Sequence, residues 1–185
     1  MVEDRLLIWR FKRGSRDALR RIYEKYKNDL LKLAVGLVRD ANTAEDAVHD
    51  AFVNFARSAT RIHPTGNLRN YLMACVANAI RNRIRDEQRH RSRGIDDSDC
   101  VISDLNRPEQ WAILSEELQL LSDALAQIPY EQREVVTLYM QGDMTFKQIA
   151  KVQNASVNTI RGRYRYGLQK LQSILDGTVK NETGR

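Results

Sequence analysis

Asn158, Thr159, Arg161, Gly162, Arg163 and Arg165 follow closely on Ser156, and what their side chains offer is hydrogen bonding to nucleic acid. Arginine can pair bidentately with guanine, and asparagine with adenine, in the major groove. Arg163, Arg165 and nearby Lys170 would serve phosphate oxygens equally well. Taken alone, the stretch is also an ordinary amphipathic helix with a solvated basic face. The residues ahead of it favour the first reading. Thr145-Phe-Lys-Gln-Ile-Ala-Lys-Val-Gln-Asn-Ala-Ser156-Val-Asn-Thr-Ile160 predicts helix, tight turn, helix. Thr145 caps the first helix with Gln148 closing a capping box, and Ser156 caps the second. Asn154 falls where the turn needs left-handed backbone, which Asn tolerates nearly as Gly does. Ile149, Ala150, Val157 and Ile160 supply small apolar contacts for a steep crossing. In such a helix-turn-helix the second helix presents its N-terminal residues to base edges.

A second constellation joins the loop 57–66 to the helix after it. Asn78, Arg81, Asn82, Arg85 and Arg89 share one helical face, where the arginines can follow a phosphate backbone. Thr60, Arg61, His63 and the Gly66 turn can approach an unstacked base. The plain alternative is a solvated face and a connector. A third group, Asp46, Asp50 and Asn54 beside His49, lies at successive four-residue steps. Two carboxylates near a histidine hint at metal, but such sites recruit ligands from further elements and the sequence names none. A protein-binding surface is the better reading, and neither metal nor cofactor is expected.

Nearly every periodic stretch that must position these residues has the helical period, so the fold expected is all-α. Leu19, Ile22, Tyr23, Tyr26, Leu30, Leu33, Ala34 and Leu37 make one face of a helix of about six turns. Asn42, with Glu45, predicts the cap of the next, whose buried side is Ala44, Ala47, Val48, Ala51, Phe52 and Phe55. A third helix starts near Asn67 and buries Leu68, Tyr71, Leu72, Cys75, Val76, Ala79, Ile80 and Ile84. Periodicity is lost from His90 to Arg107, where Gly, Ser, Asn and Asp accumulate as in a solvated linker. Past Pro108, Trp111, Leu114, Leu118, Leu121, Leu125 and Ile128 repeat at steps of three and four until Pro129. A short helix bearing Val135, Val136, Tyr139 and Met140 follows, with Gly142 to end it. The expected organisation is a first domain over 1–90, a linker over 91–107, a second domain over 108–177 and a polar tail over 178–185.

Composition narrows the partners. The 30 Lys and Arg against 24 Asp and Glu give a net charge of +6, which favours a polyanion. The start has no basic segment leading into a long apolar one, so a cytoplasmic protein is expected. The longest apolar run, 71–77, falls far short of the ~20 residues that span a bilayer, so no membrane anchor is expected. Cys75 and Cys100 lack metal-ligand spacing and read as reduced thiols without a role. Three scattered histidines, His49, His63 and His90, and the lack of a phosphate-binding glycine loop argue against an enzyme acting on nucleic acid.

These residues give the chain a resemblance, over almost its whole length, to the extracytoplasmic-function sigma factors. It is carried by Ala44-Glu-Asp-Ala-Val-His-Asp-Ala-Phe52, by Tyr71-Leu72 leading to Asn78, and by Ile128-Pro-Tyr-Glu-Gln-Arg133 ahead of Thr159-Ile-Arg-Gly-Arg163. The resemblance implies two small helical domains, sigma regions 2 and 4, that catalyse nothing. It implies that Asp46, His49, Asp50, Val53 and Asn54 bind a coiled coil on the clamp of core RNA polymerase. The loop after Arg57, with Thr60, Arg61 and His63, would open and read the minus-ten element together with Tyr71, Asn78, Arg81, Asn82 and Arg85. Ser156 to Arg165 would sit on the duplex minus-thirty-five element of promoter DNA. Tyr71 and His49 stand where the family often has Trp and Gln, and Asn154 and Gly162 where Gly and Ser are frequent. Control by a separate anti-sigma factor is expected. The rival is a stand-alone helix-turn-helix regulator with an N-terminal sensing or dimerisation module, which would bind its promoter tightly without polymerase.

Overall fold

The computed structural model describes residues 2–38, 40–58, 67–92 and 116–183. Among them the chain forms eight helices and no strand. Two compact units share them, one drawn from 1–34 and 42–101 and the other from 35–41 and 102–185. Thr60, Arg61, His63, Cys100, Trp111, Leu114 and positions 93–107 of the expected linker lie outside the described residues.

The first unit is built from α1 (Val2–Lys12), α2 (Arg16–Leu37) up to Ala34, α3 (Ala41–Ser58) from Asn42, and α4 (Leu68–Ser92). Gly14, at φ 88°, turns the chain between α1 and α2, a left-handed position that suits glycine. Ser15 then caps α2 by accepting the Ala18 N–H at 3.3 Å. The core is an apolar stripe from each helix: Leu7 and Ile8; Ile22, Leu30 and Leu33; Val48, Phe52 and Phe55; Leu68, Leu72, Val76 and Ile80. Rings join them, Phe11 stacking on Phe55 with centroids 5.4 Å apart and Tyr23 meeting Phe52 edge-on at 4.8 Å.

Two features depart from the sequence expectation. α3 starts at Ala41, one residue before the predicted cap Asn42, which leaves Asp40 ahead of the helix, another residue type that caps well. Met73 and Ala77 are buried on α4 alongside the predicted stripe, because this helix is enclosed on more than one side. Asn67 does cap α4, its Oδ1 accepting the Arg69 N–H at 3.0 Å.

The second unit contains α5 (Glu116–Ala126), α6 (Tyr130–Met140), α7 (Phe146–Gln153) and α8 (Val157–Thr183). Ala124, Leu125, Ile128, Val136 and Leu171 form its buried cluster, extended by Leu121, Tyr164, Leu168, Ile174 and Leu175. Arg133 donates from Nη2 to the carbonyls of Ala126 at 3.1 Å and Ile128 at 3.2 Å, satisfying the end of α5 and the turn after it. α6 ends at Met140 with Gln141 as its C-cap, and Asp143 rather than Gly142 adopts the positive φ that follows, 49°. α8 continues through Gly177 to Thr183, since one glycine costs a helix only about 1 kcal/mol.

Candidate nucleic-acid interface

The sequence builds the turn between α7 and α8 from local hydrogen bonds. Thr145 Oγ1 accepts the Gln148 N–H at 3.4 Å while Gln148 Oε1 accepts the Thr145 N–H at 2.7 Å, which completes a capping box. α7 closes at Asn154, held at φ 49° and ψ 49°. Ser156 Oγ then accepts the Thr159 N–H at 3.0 Å and caps α8. Ile149 and Ile160 are fully buried across the turn, so the two helices cross on an apolar contact as expected of a helix-turn-helix.

The turn presents Asn158, Thr159, Arg161 and Arg165 to solvent at the start of α8, with Gly162 half-exposed among them. Arg163 has different surroundings. Its Nη1 donates to Gln153 Oε1 at 2.6 Å, and Gln153 Nε2 donates onward to Glu134 Oε2 at 2.8 Å and to the Glu131 carbonyl at 3.0 Å. Glu134 is fully buried, so a carboxyl group inside the unit is tied through an amide to α8. Sequence reasoning missed this relay, because its members stand on three different helices. It missed also the packed rings of Tyr139, Phe146 and Tyr164, whose centroids lie 4.7 to 5.3 Å apart and brace α6, α7 and α8. Burial pushes the Tyr164 phenol up from its ordinary pKa. Arg165 lies 4.8 Å over the Tyr166 ring, an exposed cation–aromatic pair.

In the first unit, Asp46, His49, Asp50 and Asn54 are exposed along the outer face of α3, and Val53 is half-buried beside them. Asp46 reaches across to Arg83 of α4 at 3.1 Å, an exposed pair worth at most about 1 kcal/mol. On α4, Asn78, Asn82 and Arg85 are exposed, and the half-buried Arg81 donates to Asn78 Oδ1 at 3.0 Å. Tyr71, near the start of this helix, is half-buried with its ring 6.2 Å from Phe55, and burial raises its phenol. Burial likewise pushes the Cys75 thiol up, away from the reactive thiolate. Among the described residues no three His, Cys, Asp or Glu side chains gather as a metal site, and no helix is long and apolar enough to cross a membrane. The arrangement offers a capped helix with an exposed polar and basic start in one unit, and a polar, arginine-bearing face beside an acidic one in the other.

In comparison with known proteins, two family models match successive parts of the chain. The family model for sigma-70 region 2 matches residues 22–90 and that for sigma-70, region 4 matches residues 118–171. The chain is 28% identical over 179 residues to the RNA polymerase sigma factor CarQ of Myxococcus xanthus, covering 95% of this chain and 99% of that one. It is 25% identical over 170 residues to the RNA polymerase sigma-H factor of Pseudomonas aeruginosa, covering 87% and 88%. Among solved structures, CnrH in complex with the cytosolic domain of CnrY matches with a TM-score of 0.67 at 21% identity, covering 95% of this chain and 98% of that one. The sigma factor RpoE of Bartonella quintana, in complex with the anti-sigma factor NepR, matches with a TM-score of 0.69 at 22% identity, covering 85% and 96%. At that identity the two structures speak for the fold.

Proposed function

The chain belongs to the extracytoplasmic-function branch of the sigma-70 family of RNA polymerase sigma factors, and we propose that its two helical units divide the work of promoter recruitment between them. As a sigma factor it binds core polymerase and directs promoter recognition and transcription initiation. The observation that carries the division is the capped turn, which presents Asn158, Thr159, Arg161 and Arg165 as one exposed face at the start of α8. That face enters the major groove of the duplex minus-thirty-five element, with Asn158 and Arg161 toward base edges and Arg165 toward phosphate. Arg163 acts from behind, holding α8 to Gln153.

The first unit takes the minus-ten element. Asn78, Arg81, Asn82 and Arg85 follow the separated strand, while Tyr71 and the segment containing Thr60, Arg61 and His63 take up unstacked bases, so that base capture drives strand opening. Asp46, His49, Asp50, Val53 and Asn54 form the docking surface for the polymerase clamp. No covalent step is assigned to this chain, and the domains we assign are the expected 1–90 and 108–177, extended to the helix ends at Ser92 and Thr183, with the residues between them as linker. Its place of work is the cytoplasm, beside polymerase and chromosome. The RpoE neighbour was captured with an anti-sigma factor, and an inhibitor of that kind is proposed as the control on this chain.

The test is to add the purified chain to bacterial core polymerase and map the 5′ ends of transcripts made from the source genome. New start sites sharing two upstream motifs, and lost with Arg161→Ala, are expected. Promoter binding by the chain alone, with no new starts on adding core enzyme, would instead favour the stand-alone regulator.

A further inference from the structure

Two glycines stand within α8 in opposite surroundings. A Cβ on Gly167 would lie 3.0 Å from Val136 Cγ2 and 3.3 Å from Gln132 Cβ, so close packing on α6 accounts for the glycine there. A Cβ on Gly162 would meet nothing within 4 Å. Nor does backbone conformation ask for glycine at 162, since Gly14 alone among the described glycines has a positive φ. Neither packing nor geometry explains Gly162, at a position where alanine would make the more stable helix.

What distinguishes Gly162 is the surface around it. On a helix, the neighbours of a position are those three and four residues away. Here they are Asn158, Thr159, Arg165 and Tyr166, and all four are exposed. Gly162 is thus the floor of a shallow depression in the middle of the face assigned to the major groove. The floor is helix backbone, whose N–H groups are committed to carbonyls one turn back. A polar base edge would find no partner on it. An apolar projection needs only a contact surface, and the group of that kind in the major groove is the C5-methyl of thymine.

We infer that Gly162 determines specificity by admitting a thymine methyl of the minus-thirty-five element against the α8 backbone. The inference rests on the assignment of α8 to duplex DNA. Asn158 and Arg165 flank the depression and set which base pair lies over it. Any side chain at 162 would occupy the space the methyl fills.

The experiment compares wild-type, Gly162→Ala and Arg161→Ala chains, each assembled with core polymerase, on a promoter defined by its mapped start site. Thymines of the minus-thirty-five element are replaced one at a time by deoxyuridine, which removes only the methyl, and each free chain is also melted. Gly162→Ala is expected to melt a few degrees higher than wild type and yet to bind the thymine promoter about four-fold or more weakly. Deoxyuridine at one position is expected to weaken wild type by about four-fold and to relieve the defect of Gly162→Ala. That second measurement on wild-type protein stands whatever the variant's folding.

Two results would overturn the inference and leave the α8 assignment intact, provided Arg161→Ala still weakens binding. One is a Gly162→Ala chain that binds as tightly as wild type; the other is a wild-type chain indifferent to every deoxyuridine. If Arg161→Ala and all base changes in the minus-thirty-five element leave binding unchanged, the α8 assignment fails, and the inference with it.

Discussion

Arg163 donates its Nη1 hydrogen to the side-chain oxygen of Gln153 at 2.6 Å, which commits to the protein an arginine whose type and position suit DNA. A phosphate contact and a positioning contact differ in salt dependence. Each neutralised duplex phosphate contributes about −0.9 to the slope of log affinity against log salt. Arg165→Ala should therefore weaken promoter binding by the holoenzyme and make that slope shallower by about 0.9. Arg163→Met should weaken binding with the slope unchanged. A slope that changes equally in both variants would return Arg163 to the phosphate backbone.

Gly167 makes a packing prediction of opposite character to that for Gly162. Gly167→Ala forces a methyl to within 3.0 Å of Val136, and overpacking of this kind costs about 1–3 kcal/mol. Thermal unfolding should show the loss, and Val136→Ala in the same chain should recover part of it. Additive losses in the double variant would refute the contact as the cause.

Asn154 bears on the turn itself. At φ 49° it accepts glycine without strain, whereas a β-branched residue is opposed by its own Cβ. Asn154→Gly should leave stability and promoter use nearly unchanged, and Asn154→Val should cost about 1–2 kcal/mol in urea unfolding. Thr145→Ala and Ser156→Ala should each cost about 1 kcal/mol through the lost cap.

The tie between α1 and α2 titrates. Burial would raise the Asp4 carboxyl, but hydrogen bonds from Lys25 at 2.8 Å and Tyr26 at 2.8 Å hold it below its ordinary 3.8. A depressed carboxyl stabilises the folded unit above its ordinary range, and that stability is lost as pH falls through the lowered value. Burial, and then the bond to Asp4, push the Tyr26 phenol from 10.0 up to about 12, so its contribution is complete below pH 10 and lost as pH rises towards 12. The chain has 2 tryptophans, so in a Trp111→Phe background the fluorescence of Trp9 reports α1 alone. Asp4→Ala should cost about 2 kcal/mol at neutral pH, because it leaves the Tyr26 hydroxyl without its acceptor, and should flatten the acid limb.

How far the sequence alone could go depended on the range of the interaction. The helix-turn-helix was legible because its determinants are three residues apart: Thr145 with Gln148, Ser156 with Thr159, and a left-handed Asn154 between them. α1 was not, because Leu6 and Trp9 stay exposed beside buried Leu7 and Ile8 and blur the helical period. The link from Arg163 through Gln153 to Glu134 was equally hidden, since helical spacing says which residues share a face and nothing of what another helix brings to it. The same holds for Asp46, which the acidic pattern left unpartnered and which α4 supplies with Arg83.

The division between Arg163, which holds α8, and Asn158 and Arg161, which face outward from it, also shapes how such a protein can change over generations. The outward pair supports no part of the core, so under the proposed assignment exchanging those side chains would alter which DNA is preferred at little risk to folding. A duplicated gene can thus acquire a new set of target promoters in one or two steps, while the residues behind the helix preserve the angle at which the new side chains arrive. The same separation gives an engineer a fixed scaffold on which sigma factors with mutually exclusive promoters can be written.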